Sequence, residues 1–259
     1  MAIKLPKLKS KHPHPDAMTL VEHLTELRRR LVIAIVAIAL GGAVAFALYN
    51  HILSFFVHPY CQTVGPHHPC QLYVTGPLDG FSIRLKIAAY GGLFLASPVV
   101  LYQLWRFVTP GLNPNEKRYA IPFVTSSIIL FVAGAAVAWF TFPHALSFLT
   151  AVGGPTLSQI YSPANYLSLI ILLMVAFGVA FEFPVLLVFL ELAGVLSPAQ
   201  LSRWRRKAIV LLVAVAAIVT PSSDPFSMLA LAIPMCLFYE ASIWIGKLLK
   251  RSPTPTGGT

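Results

Sequence analysis

MTLVEHLTELRRRLVIAIVAIAL, residues 18–40, carries charged helical turns straight into apolar ones. Thr19 and Glu22 have the T-x-x-E spacing of a capping box, in which two otherwise unpaired backbone N–H groups are satisfied and a helix begins. Leu20, Leu24, Leu27 and Leu31 recur at the spacing of one helical face, while Glu22, Glu26, Arg29 and Arg30 take the other side. From Leu31 to Leu40 every residue is aliphatic. The pattern predicts an amphipathic helix at a membrane surface that hands over directly to a spanning helix, with the basic cluster at the junction.

The rest of the chain fits that reading. Its 259 residues include only 19 basic and 9 acidic side chains, and the mean hydropathy is +0.75. The apolar runs are too long for a soluble core, so one membrane domain in a lipid bilayer is expected. The net charge of +10 is not the footprint of a nucleic-acid surface, because it does not gather on one face. Seventeen of the 19 basic residues fall in alternate loops: those up to Arg30, then Arg106, Lys117 and Arg118, then Arg203 to Lys207, then Lys247, Lys250 and Arg251. Only Arg84 and Lys86 lie elsewhere. By the positive-inside rule both termini are then cytoplasmic. The apolar run before Ala45-Phe46-Ala47 is longer than a signal-peptide core and more spans follow, so no cleaved signal is expected. The start is not Arg- and Ser-rich like a transit peptide, and a bacterial cytoplasmic membrane is the expected location.

In chain order, residues 1–17 read as a flexible cytoplasmic tail, 18–250 as the membrane domain and 251–259 as a second tail. Spans are expected near 31–49, 77–108, 119–142, 164–192, 208–220 and 225–245. The fifth has 13 residues. That is about 20 Å at about 1.5 Å per residue, short of a hydrocarbon layer of about 30 Å, so it should thin the bilayer nearby. Arg84 and Lys86 imply that the outer end of the second span stands above the hydrocarbon or snorkels. Asn50 to Gly76 reads as an outer loop broken by Pro59, Gly65, Pro66 and Pro69. It contains Cys61 and Cys70, and on that side thiols are open to oxidation; a disulfide closing the loop and two unpaired thiols are the alternatives. His67 and His68 lie between them, but the four lack any standard zinc spacing, and no metal or cofactor is expected. Pro98, Pro184 and Pro234 fall inside three spans and should bend them, since each removes a backbone hydrogen bond. The expected fold class is an all-α polytopic membrane protein of six transmembrane helices, kinked by prolines around a concave wall.

Glu182 is the most expensive residue in the chain. It lies between Val175–Phe181 and Phe183–Leu190, two positions before Pro184. An acid at a helix centre costs about 2.5–3.5 kcal/mol on insertion scales, which marks Glu182 as an intramembrane polar contact, to a partner's helix or to a neighbouring span. Asp224 and Pro225 read as the N-cap and first residue of the sixth helix. There is no H-E-x-x-H, G-x-S-x-G, P-loop or intramembrane aspartate pair, so an enzyme is not expected. The alternative function is a proton-coupled small-solute transporter in which Glu182 carries the proton; a structural scaffold is a third class. A transporter would call for further ionisable residues at membrane depth, and spans three to six otherwise have almost none.

EHLTELRRRL at 22–31, SPVVLYQLWRFVTPGLNPNEKR at 97–118, YLSLIILLMVAFGVAFEFPV at 166–185 and TPSSDPFSMLALAIPM at 220–235 together resemble TatC, the receptor subunit of the twin-arginine protein translocase. The resemblance runs from about Met18 to Lys250. It implies a cup-shaped six-helix receptor that recognises Arg-Arg signal peptides of folded precursors. It implies a TatB-like single-span partner, TatA-like subunits recruited into a multimeric complex, and transport driven by the protonmotive force without nucleotide hydrolysis. Glu26 and Glu116 match cytoplasmic glutamates that help bind the arginine pair, Glu182 matches an intramembrane acid, and Asp224 matches an aspartate on the outer side. TPSSDP is one residue longer than the common TPPD form, Met228 stands where a polar residue is often found, and the Cys61/Cys70 loop is not general to the family.

Taken by their own surroundings, these sites also have plainer readings. Glu26 is one helical turn from Arg29 and Arg30, and an intrahelical ion pair is worth only about 0.3–0.5 kcal/mol. Glu116, beside Lys117 and Arg118, reads as a solvated loop residue. Arg28 anchors the helix to lipid headgroups or holds Glu26 in place. Glu191 and Glu240 sit near cytoplasmic ends, where a lone acid can reach water.

Overall fold

The computed structural model describes residues 20–64, 72–74, 76–108, 120–154, 162–221 and 224–250. They form α1 (Leu20–Ala47), α2 (Tyr49–Val64), α3 (Asp79–Val108), α4 (Ala120–Val152), α5 (Pro163–Ala180), α6 (Phe183–Leu192), α7 (Pro198–Val219) and α8 (Pro225–Lys250), with no strand among the described residues. Five stretches are long and apolar enough to cross a membrane: Val21–Ala47, Asp79–Val108, Ile121–Val152, Pro163–Leu192 and Pro225–Leu248. The chain is an all-α polytopic membrane protein. Both tails, Thr19, His67, His68, Cys70 and Glu116 lie outside the described residues.

The charged turns and the first span are one helix, α1, which leans chiefly on α3. Glycine makes that contact possible. A Cβ on Gly92 would stand 2.6 Å from both the Ile38 carbonyl oxygen and the Gly42 nitrogen, so the two backbones meet with no side chain between them. The opposite face of α1, including Leu24, Leu31, Ile35, Val36 and Leu40, is exposed and suited to lipid.

The outer loop expected over Asn50–Gly76 is a helix for most of its first half. Tyr49, Ile52, Leu53, Phe56 and Tyr60 recur at helical spacing and pack into the core, which outweighs the turn signal of Pro59. Phe55 stacks on Trp139 with ring centres 3.9 Å apart, and Tyr60 meets Tyr166 edge-on at 5.7 Å. The Tyr166 hydroxyl donates to the Phe56 carbonyl at 2.9 Å. Burial pushes the Tyr60 phenol above its usual pKa. Cys61, on the last turn of α2, is disulfide-bonded.

α5 is the centre of the bundle, with Leu167, Ile170, Ile171, Leu173 and Phe177 almost wholly buried. The third span does not stop at Phe142, because α4 runs on through Pro143 to Val152. Arg84 lies over the Tyr49 ring at 4.7 Å. Lys86 turns inward and donates to the Ala164 carbonyl at 3.1 Å and the Ser168 hydroxyl at 2.7 Å, instead of snorkelling.

Pro98 and Pro234 sit inside continuous helices, but the fourth span is broken in two. The break falls at Phe181 and Glu182. Glu182 N–H donates to the Val179 carbonyl at 3.1 Å, a tightened turn, and Pro184 then opens α6 where it needs no N–H. Likewise, Ser197-Pro198 starts the whole of α7, not a single turn. Gln200 N–H donates to Ser197 Oγ at 3.2 Å, and Ser197 N–H donates to Gln200 Oε1 at 2.9 Å. The basic cluster Arg203–Lys207 is therefore helical.

Candidate functional site

Two polar places stand out on this apolar frame. The first lies where the charged start of α1 meets the end of α3. Arg30 turns back one helical turn and grips Glu26, its Nε donating to Glu26 Oε1 at 3.1 Å and its Nη2 donating to the same oxygen. Its Nη1 reaches across to Gln103 Oε1 on α3 at 3.4 Å. A second bridge between these helix ends is the stack of His23 on Phe107, with ring centres 4.4 Å apart. One glutamate oxygen thus takes both contacts. The other, Glu26 Oε2, is buried and has no hydrogen-bond partner among the described residues.

The intrahelical pair expected for Glu26 is present, with Arg30 as its partner. Arg28 is exposed and does not hold Glu26. Because Arg30 occupies only one oxygen and is itself tied to Gln103, the carboxylate is oriented with its second oxygen unused. That oxygen is enclosed, so a planar guanidinium reaches it for a charge-assisted bond only when the side chains covering it shift.

The second place is the break between α5 and α6. Glu182 lines a cavity of about 340 Å³ together with Leu104, Trp105, Val108, Val179, Phe183 and Leu186. Ser127 of α4, wholly buried, lies beside the carboxyl and accepts from Trp105 Nε1 at 2.5 Å. The serine hydroxyl still has its proton to give. Neither Glu182 oxygen completes a hydrogen bond among the described residues. Trp105 also stacks on Phe123, with ring centres 5.2 Å apart, and meets Phe189 edge-on, so the indole has little freedom. The result is an acid at membrane depth beside a fixed hydroxyl, at the wall of an otherwise apolar hollow.

Asp224 has a capping geometry. Its Oδ1 accepts from Ser227 N–H at 2.7 Å at the start of α8, and the residue is 1 % exposed. Glu191 does not reach water: it is 3 % exposed, against Gly246 of α8, where a Cβ would collide with its carboxylate. Glu240 pairs with Arg205 at 2.6 Å. Among the described residues no three His, Cys, Asp or Glu side chains gather where an ion could be held.

Reading the sequence alone missed Gln103, His23 and Phe107 at the first place and Trp105 and Ser127 at the second. A tryptophan and a serine pair inside apolar runs were the available signals for the latter; nothing local pairs Gln103 with Arg30.

Comparisons with known proteins identify the family. A family model described as Sec-independent protein translocase protein (TatC) matches residues 22–234. The chain is 42 % identical over 251 residues to the Sec-independent protein translocase protein TatC of Frankia casuarinae, spanning 93 % of this chain and 69 % of that one. It is 40 % identical over 237 residues to that of Aquifex aeolicus, spanning 90 % of this chain and 97 % of that one. The crystal structure of a twin arginine translocase receptor, TatC, is similar with a TM-score of 0.72 at 40 % identity, covering 89 % of this chain and 100 % of that one. A translocase family replaces the small-solute transporter alternative, and the chain belongs to the TatC family, as a multi-pass membrane component of a twin-arginine, Sec-independent protein translocase.

Proposed function

We propose that this chain is the receptor subunit that binds twin-arginine signal peptides of folded precursors, with Glu26 and Glu116 each taking one arginine. The observation that carries the reading is the half-used carboxylate of Glu26, held through one oxygen by Arg30, itself tied to Gln103, with the other oxygen unpartnered among the described residues. An arginine forks onto carboxylate oxygens and lysine, a point charge, cannot reproduce that geometry. Glu116 follows α3 in the chain, on the segment that leaves the end carrying Gln103 and Phe107. Requiring both glutamates makes the pair of arginines, not one, the recognised feature.

The same proposal includes cytoplasmic termini, a bacterial inner membrane and a multimeric complex with TatB-like and TatA-like single-span subunits. It also includes transport driven by the protonmotive force. Glu182 serves as the polar contact for a partner's transmembrane helix, since it lines a hollow beside the Ser127 hydroxyl and neither of its oxygens completes a hydrogen bond among the described residues. Cys61 and Cys70 pair on the outer side, and Asp224 supports the fold there.

Site-specific crosslinking of a twin-arginine precursor to this protein in membranes tests the reading. An adduct should form with the Arg-Arg signal and be lost when the pair is changed to Lys-Lys. Equal adducts with both signals would remove it.

A further inference from the structure

The start of α7 and the end of α8 carry a feature that signal binding does not use. The apolar part of α7, Ala208 to Val219, has 12 residues. That is about 18 Å at about 1.5 Å per residue, against about 30 Å of hydrocarbon. Immediately before it stand Arg203, Trp204, Arg205, Arg206 and Lys207, all exposed on the same unbroken helix. These charges are held at a depth where α8 beside them still presents apolar surface. Arg205 is level with its partner Glu240, and α8 continues past that point with exposed Trp244, Ile245 and Leu248.

The Arg205–Glu240 ion pair closes at 2.6 Å through Nε. Trp244 lies one turn beyond Glu240 on the same face of α8. Lys247 Nζ is 5.7 Å from the centre of its ring. Glu240 to Lys247 is seven residues, or about 10 Å of helix, so Arg205, Trp244 and Lys247 form a short cationic strip with an aromatic floor. Among the described residues, Glu240 is the carboxylate paired there. Ile209 and Val213, one and two turns further along the Arg205 face of α7, are exposed above it.

We propose that this strip binds the phosphodiester headgroup of an anionic phospholipid, held between Arg205 and Lys247 over Trp244, with the acyl chains against Ile209 and Val213. Charge and depth together select that occupant. The strip has an excess of positive charge, and apolar side chains flank it on the side facing the membrane core. A lipid brings a phosphate and chains to match both. A zwitterionic lipid carries its own cation and gains less from the second basic residue. Local thinning of the bilayer at α7 would bring the headgroup to the required level.

Native mass spectrometry of the detergent-purified full chain, offered equimolar phosphatidylglycerol and phosphatidylcholine, tests the proposal. The wild type should retain phosphatidylglycerol in preference. R205Q/K247Q should lose about thirtyfold of that preference, at about fivefold per cationic side chain, and R205K/K247R should keep it. Because R205Q leaves Glu240 without its ion pair, K247Q alone is the second variant; Lys247 is exposed, so the melting curve should stay unchanged while about fivefold is lost. Equal retention of the two lipids by the wild type, or an undiminished preference in both Gln variants, would overturn the site. So would a dimer peak that replaces lipid adducts in the wild type and disappears in R205Q/K247Q, since a second copy would then be the occupant.

Discussion

Replacing Gly92 with alanine should push α1 off α3 and loosen the Glu26 surface some distance away. The new Cβ would stand 2.6 Å from the Ile38 oxygen and Gly42 nitrogen and 2.8 Å from Gly42 Cα. All three are backbone atoms, so none can rotate aside. Restoring a contact of about 3.5 Å requires α1 to retreat by about 0.9 Å. Arg30 Nη1 and Gln103 Oε1, already 3.4 Å apart on the same helix pair, would then leave hydrogen-bonding range. Overpacking costs about 1–3 kcal/mol and the lost bond about 0.5–1.5 kcal/mol, while alanine regains up to about 1 kcal/mol of helix propensity. The net loss is roughly 0.5–4.5 kcal/mol. Gly80→Ala is the control, because its Cβ would meet nothing within 4 Å, and it should be neutral or slightly stabilising. Thermal unfolding in detergent, followed by circular dichroism, compares the two. If Gly92→Ala melts with Gly80→Ala, the close backbone contact does not hold α1 in place.

Asp224→Ala should cost about 1–2 kcal/mol by removing the buried cap on Ser227 N–H, with Asp224→Asn recovering most of it; unchanged melting of the alanine variant would rule out the cap as a support. Glu182→Gln keeps a hydrogen-bonding group beside Ser127 and should retain partial transport. Glu182→Ala should lose transport or crosslinking to a partner helix yet still bind the arginine pair, and full activity of that variant would end the role. In a Cys236→Ser background, maleimide applied to intact cells should label Cys61 only after reduction, and labelling without reductant would contradict the bridge.

The membrane class was legible from residues 18–40 onward, because the hydrocarbon layer forces long charge-free runs that no soluble helix needs. Glu182 was legible for the same reason: its insertion cost is a local property. α2 was hidden because Pro59 and the polar residues around it resemble a loop, and the stripe from Tyr49 to Tyr60 becomes decisive only with Trp139 and Tyr166 to pack against. The break at Phe181–Glu182 was visible as Pro184 but not as two helices, since a proline can bend a helix or begin one. Glu191 was misjudged because burial is set by Gly246, a residue 55 positions away in the chain. At the Glu26 surface the intrahelical partner followed from spacing, but Gln103 did not, since nothing in the sequence fixes how α1 crosses α3.

The most direct measurement is equilibrium binding of a fluorescent twin-arginine signal peptide to the purified chain. It should be run with an Arg-Arg and a Lys-Lys peptide, on the wild type and on Glu26→Ala with Glu116→Ala. A hydrogen bond to a charged group is worth about 1.5–3 kcal/mol and about 1.4 kcal/mol is tenfold in affinity. The Lys-Lys peptide and the double variant should therefore each bind at least about tenfold more weakly than the wild type binds Arg-Arg. Equal affinity for both peptides, or an undiminished affinity in the double variant, would contradict the assignment of Glu26 and Glu116 as the arginine-binding pair.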